Sequence, residues 1–231
     1  MDDNETDTDT TRTGHVSRRN PLALMVLCTL WEQPTHPYQL VQTLKQRRKD
    51  KSARLNYGSL YTVIANLERA NLIEAVEVTQ MGNLPPRTTY RVTFAGVAEL
   101  TSWLSDLIGR PTPEIPQFMT ALSLLPTLPM EKVVALLRQR LTALEQEMEL
   151  MAAQREQSRQ VIPALLYIEA SYQAAMTEAE YAFTQQLIDD IESGRLSGVA
   201  SWRVIHATMR DGRPNYEASA AAFAAEGFPV I

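Results

Sequence analysis

Between residues 56 and 73, small, polar and basic side chains recur on one side of an apolar repeat. Placed at about 100° per residue, Leu60, Val63, Ile64 and Leu67 share one helical face. Gly58, Thr62, Ala65 and Arg69 share the opposite face, with Asn66 and Tyr61 at its edges. Such a face can do one kind of chemistry: it can lie against a nucleic-acid groove and contact phosphates and base edges. Gly58 allows close backbone approach, and the free amides of a helix N-terminus attract an anion. Ser59 and Thr62 offer hydroxyls to a phosphate or a base edge, and Asn66 offers an amide. The hydroxyls of Tyr57 and Tyr61 can reach phosphate; Tyr61 reads equally as a half-buried residue packed on the first helix. Gly58 also reads as a packing glycine at a helix start. Asn56 stands at the N-cap position, and Asn71 stands where a left-handed residue would end the helix.

Positive charge clusters beside this segment. Lys45, Arg47, Arg48, Lys49 and Lys51 place five cations within seven residues. The run suits phosphate attraction, and it suits equally a solvated helix end that complements the helix dipole. Arg87, between two strand-like segments, is the further cation expected to touch backbone phosphate or the minor groove. Contacts of this kind position a protein without specifying sequence. The net charge of −5 conceals a division. Residues 1–11 carry five acids and no base; residues 12–110 carry 13 bases and 7 acids; residues 111–231 carry 9 bases and 15 acids. A protein that meets phosphate with one end only is expected to look this way.

Catalytic chemistry finds little purchase. The chain has no Gly-rich phosphate loop. His15, His36 and His206 lie far apart, and no His-x-x-x-His or Glu-x-x-His ligand pair exists. Asp189-Asp190 reads as a solvated pair at a helix end. These absences argue against an enzyme and imply no cofactor or metal. The lone Cys28 excludes an internal disulfide and a Cys-based zinc site. No apolar run reaches the roughly 18 residues of a membrane span. The acidic N-terminus is not a secretory signal, so a cytoplasmic location is expected.

The elements that position these residues follow from periodicity and punctuation. Residues 1–18 form an acidic tail expected to be disordered. A first helix runs from Leu22 to about Glu32, with Asn20 as cap and Pro21 in its first turn. A turn follows, and Thr35 is expected to cap a second helix that buries Leu40, Val41 and Leu44. The two-faced helix comes third. Ile73 to Thr79 alternates as a strand, Gln80 to Thr88 is a turn region, and Tyr90 to Thr93 returns. A fourth helix from about Thr93 is expected to bury Val97, Leu100, Leu104 and Ile108. Three prolines in Gly109–Pro116 mark a linker, which continues to residue 127. Leu137, Leu141, Leu144, Met148 and Met151 then recur as a heptad seam. A last long helix, from about Ala164 to Ser193, shows Ile168, Tyr172, Ala175, Ala179 and Phe183 as its apolar side, and Gly194 stops it. The seam, with Tyr172 and Phe183, reads as a dimerisation element; alternatively the two long helices cover each other. The fold class is mainly α with a small β-hairpin: a winged helix-turn-helix over 19–110, then a helical dimerisation domain over 128–196. Residues 197–231 form a C-terminal tail with a short helix around Ala218–Ala225.

Four segments in this order resemble the PadR family of bacterial transcriptional regulators. They are the apolar first helix; His36-Pro37-Tyr38-Gln39-Leu40; Tyr57-Gly58-Ser59-Leu60-Tyr61 with Leu67-Glu68 and Leu72-Ile73; and Pro85-Pro86-Arg87 before Tyr90-Arg91-Val92-Thr93 and Gly96. The likeness covers about residues 20–108. Tyr57 and Asn71 depart from the proline and glycine usual there, and Arg87 is the one basic residue of the wing before Tyr90. The resemblance implies a homodimer bound to double-stranded DNA, with half-sites about one helical turn apart on a palindromic operator. It adds Tyr38 and Gln39 to the DNA-facing residues. It further implies a repressor released by a small aromatic or phenolic effector, with Trp103 as an aromatic platform; core or interface packing is the other reading of Trp103. Met119, Met130, Met148, Met151 and Met176 read either as an adaptable pocket or as plain core. The rival function is a winged-helix module that binds protein and not DNA.

Overall fold

The computed structural model describes residues 20–47, 49, 57–79 and 87–228. The chain divides into two compact units, Met1–Glu114 and Ile115–Ile231. The first contains α1 (Pro21–Glu32), α2 (Pro37–Gln46), α3 (Tyr57–Arg69), β1 (Ile73–Thr79), β2 (Arg87–Val92) and α4 (Phe94–Gly109). The second contains α5 (Gln117–Leu122), α6 (Met130–Arg159), α7 (Ile168–Ser193), α8 (Val199–Ala207) and α9 (Tyr216–Ala225).

Local chemistry sets the helix boundaries of the first unit. The Asn20 Oδ1 accepts the Leu22 amide at 3.1 Å, and Pro21 opens α1. Helix α2 is capped by His36, whose Nδ1 accepts the Gln39 amide at 3.1 Å. This corrects the expected cap, Thr35. Both backbone groups of Thr35 are spent on Tyr90, each bond 3.0 Å long, so Thr35 adds a one-residue bridge beside β2. That bridge fastens the wing to the helices, as a two-stranded hairpin requires. Asn71 adopts φ 54° and closes α3. The Leu72 amide then reaches the Leu67 carbonyl at 2.9 Å and the Asn71 amide reaches Glu68 at 2.8 Å, which satisfies the carbonyls a helix end leaves open.

The wing pairs antiparallel from Ile73↔Val92 to Thr79↔Arg87, with a bulge at Val76 between Ala75 and Glu77. The return strand is longer than the expected Tyr90–Thr93, because β-branched Thr88 and Thr89 also join the ladder. It stops at Val92 because Thr93 turns to cap α4, its Oγ1 accepting the Gly96 amide at 3.0 Å and donating to the Asn71 carbonyl at 2.7 Å. Here glycine is required at Gly96: a Cβ would lie 2.0 Å from the Leu72 carbonyl oxygen. That close approach sets the rotation of α4. Its inward stripe is Gly96, Leu100 and Trp103. Of the four residues expected inside, only Leu100 is buried; Val97 is half-buried and Leu104 and Ile108 are exposed. The core joins Val26, Leu27, Leu40, Leu60, Leu67, Ile73 and Trp103.

In the second unit, α6 packs on α7. Val133, Leu137, Leu141, Ile188, Ile191 and Trp202 form its core. Leu137, Leu141 and Leu144 are therefore covered by their own chain, and the seam is not open in the way the heptad pattern suggests. The stripe expected to be the apolar side of α7 points outward: Ile168, Tyr172, Ala175, Ala179 and Phe183 are all exposed. The inward stripe is Ala174, Thr177, Thr184, Ile188 and Ile191. Threonine conceals it in the sequence. The Thr184 hydroxyl donates to the Glu180 carbonyl at 2.8 Å and that of Thr177 to Gln173 at 3.1 Å, so each presents a methyl to the core with no unmet polar group. Pro163 is followed by a single 3-10 turn, Ala164–Tyr167, and α7 begins at Ile168 rather than Ala164. Gly194 ends it at φ 73°.

Residues 197–228 are more ordered than the expected tail. Trp202 is buried, and its Nε1 donates to the Leu128 carbonyl at 2.8 Å. Asn215 caps α9. The Glu226 carboxylate accepts the amides of Gly198 (2.9 Å) and Ser201 (2.7 Å) and the Ser201 hydroxyl, which closes the N-terminus of α8. Those three donors hold the Glu226 carboxyl below the usual range.

Candidate nucleic-acid interface

Helix α3 shows solvent the residues expected to face a groove. Leu60, Val63, Ile64 and Leu67 are buried in the core. Gly58, Thr62, Ala65, Asn66 and Arg69 are exposed, and Ser59 is half-buried. Tyr61 is 57% exposed, so its ring is not packing of the core. The Thr62 hydroxyl donates to the Gly58 carbonyl at 3.0 Å, leaving its oxygen free to accept. Asn56 and Arg48 lie outside the described residues, as do Lys51 and the side chain of Tyr57, whose backbone opens α3.

The flanking elements carry further polar groups. Tyr38 and Gln39 are exposed in the first turn of α2, and the Tyr38 ring stacks on His36 at 6.4 Å between centroids. Lys45 is exposed near the end of α2, and Lys49 is half-buried beyond it. Arg47 is already engaged: its guanidinium meets Glu32 at 2.7 Å, and that bond raises its pKa. A phosphate would have to share or displace Glu32, a modest cost for an exposed pair. Arg87 is exposed as the first residue of β2, not in the turn. Tyr90, half-buried in the wing, has its phenol pushed up by burial and then by the Glu68 carboxylate, so it stays neutral.

Burial decides between the two readings of Trp103. Trp103 is 2% exposed and belongs to the core, so its ring offers no platform to a ligand. Burial raises the Cys28 thiol, which keeps it protonated and unreactive. Among the described residues no three His, Cys, Asp or Glu side chains gather as a metal site, and no helix is long and apolar enough to cross a membrane.

Residues 26–102 match the model of the transcriptional regulator PadR-like family. The match spans a third of the chain and lies wholly within the N-terminal unit. The match runs from α1 to α4 and takes in the whole exposed face of α3. The PadR-like family is one of transcriptional regulators, not of enzymes. Solved structures share the fold. Bacillus subtilis PadR in complex with operator DNA has 16% identity and a TM-score of 0.60, covering 74% of this chain and 98% of its own. The same protein in complex with p-coumaric acid gives 15% identity and 0.61 over the same shares. A PadR-like transcriptional regulator from Bacillus cereus gives 13% identity and 0.52, covering 75% of this chain and 99% of its own. No curated protein matches the sequence. The sequence resemblance thus holds for this unit, and the helical region is longer than that of these PadR-like relatives, which leave about a quarter of the chain uncovered.

Proposed function

We propose that the protein is a sequence-specific DNA-binding regulator of transcription, working in the cytoplasm as a homodimeric repressor on a palindromic operator. The observation that carries this reading is the exposed face of α3, small at Gly58 and Ala65, polar at Thr62 and Asn66, basic at Arg69. Small residues let the helix enter a major groove deeply; polar ones at its edges meet bases and phosphates. Ser59, Tyr57, Tyr61 and Asn56 extend the contact at its N-terminal end. Tyr38, Gln39 and Lys45 hold the backbone from α2, Arg47, Arg48 and Lys49 from the run that follows it in sequence, and Arg87 from the wing. The operator complex of the B. subtilis relative supports the mode of action.

Dimerisation follows from what the second unit leaves uncovered. Tyr172 is 71% and Phe183 51% exposed, with Ile168 and Met176 beside them on α7. An apolar stripe of this length is costly in water, and a second copy related by a two-fold axis would cover both stripes at once. Met148 and Met151 are half-buried on α6. Release by a small aromatic or phenolic effector rests on the p-coumaric acid complex of the same relative. Such a ligand must favour one dimer geometry to shift binding.

Selection of bound duplexes from a random pool at fixed salt tests the reading. Recovery of an inverted repeat is the expected result. Failure to enrich any duplex, with affinity flat in salt, would favour a protein-binding winged helix instead.

A further inference from the structure

We propose that Arg69, held by Asn66, reads a guanine at the C-terminal end of the α3 footprint; the role rests on the DNA-binding reading above. Arg69 continues the groove-facing row, following Thr62 and Ala65 at spacings of three and four residues. Thr62 and Ala65 are short, so the helix can lie close to the bases. Arg69 stands about 10 Å along the axis from Thr62 and is the long side chain of that row. It is exposed, as is Asn66.

The bond between them fixes what the pair can recognise. The Arg69 Nη1 donates to the Asn66 Oδ1 at 2.8 Å. A guanidinium only donates, so the amide oxygen must face it and the amide nitrogen must face away. Asn66 then offers two outward N–H groups, and Arg69 keeps its remaining N–H donors. The end of α3 becomes a surface rich in donors. The major-groove edge of adenine demands one donor and one acceptor from its reader, whereas guanine presents two acceptors, O6 and N7. The bond to Asn66 restrains the guanidinium, whose remaining N–H donors match two acceptors on one base. Guanine is the base that matches. An arginine in the last helical turn also complements the dipole, but that role carries no base preference.

The test uses the full chain and the duplex recovered by selection. Affinities are measured for every single base-pair substitution in one half-site, with the wild type, Arg69→Ala, Arg69→Lys and Asn66→Ala. At one G·C pair the wild type is expected to lose about 10- to 100-fold on substitution. Arg69→Ala should lose a similar factor on the parent duplex and bind all four bases there alike. Arg69→Lys should recover less than half of the preference, since an ammonium lacks the planar fork. Asn66→Ala should weaken the preference while leaving its sign. A uniform loss on all duplexes, with the salt slope reduced by about one, would assign Arg69 to a phosphate and overturn the proposal. Unchanged affinity in Arg69→Ala would overturn it too. A wild type that selects no duplex removes the DNA-binding reading itself, and this proposal with it.

Discussion

Helices α3 and α7 are built alike and finished differently. Each buries one stripe in its own unit and turns the opposite stripe to water. On α3 the outward stripe is Gly58, Thr62, Ala65 and Arg69; on α7 it is Ile168, Tyr172, Ala175, Ala179 and Phe183. The buried faces do the same work, removing apolar area from water. The outward faces ask for different partners. A small, polar and basic surface gains from a polyanion, and an apolar one gains from another apolar surface. The regulator proposed above needs both: one helix to meet DNA, the other to meet a second copy.

The sharpest way to break the α3 half of this comparison is to place an acid in the middle of its outward stripe. Ala65→Glu is expected to weaken DNA binding at least 100-fold, by repulsion from phosphate and loss of close approach. Its far-ultraviolet dichroism should match the wild type, because Ala65 is exposed. Breaking the α7 half should cost somewhat less. Tyr172→Glu with Phe183→Glu is expected to give monomers in sedimentation velocity and to lower operator affinity at least tenfold, with α3 intact. A dimer that survives would separate α7 from assembly.

Gly96→Ala tests whether the scaffold behind α3 is as tight as its geometry. The new methyl meets the Leu72 carbonyl, and the cost in urea unfolding is expected to be about 2–3 kcal/mol. Arg87→Ala should act more gently, lowering affinity by a few-fold on every duplex and the salt slope by about one. Unchanged affinity would remove the wing from the contact.

Glu226 gives the smallest effect and a pH signature. Its folded pKa is depressed by the Ser201 and Gly198 donors. Its contribution is therefore present above the unfolded pKa of about 4.3 and is lost as pH falls through the folded value. The Gly198–Trp202 amides should exchange faster with hydrogen isotopes as pH is lowered through that window, after correction for intrinsic rates. Glu226→Gln should show part of that acceleration at neutral pH.

The N-terminal unit was legible because its rules are local. The α3 pattern, the Asn20 cap and the left-handed Asn71 could all be read from neighbouring residues. What escaped the sequence was set by tertiary contacts. Thr35 looked like a cap and serves as a bridge to Tyr90, a partner 55 positions away. The register of α4 depended on Gly96 meeting Leu72, so Leu104 and Ile108 were assigned to the wrong side. The inward face of α7 was hidden because buried threonines that bond their own helix count as polar in any hydrophobic pattern. Among the candidate site residues, exposure on α3 was predictable from periodicity. The Glu32 partner of Arg47 and the Asn66–Arg69 bond could not be foreseen, since both depend on side-chain rotamers.

The most direct measurement is the equilibrium affinity of the full chain for its selected duplex across a salt series, with stoichiometry measured at saturation. The account predicts two chains per inverted repeat and a linear fall of log affinity with log salt, losing at least tenfold between roughly 50 and 200 mM. Affinity flat in salt, or one chain bound per duplex with α7 unaltered, would contradict it.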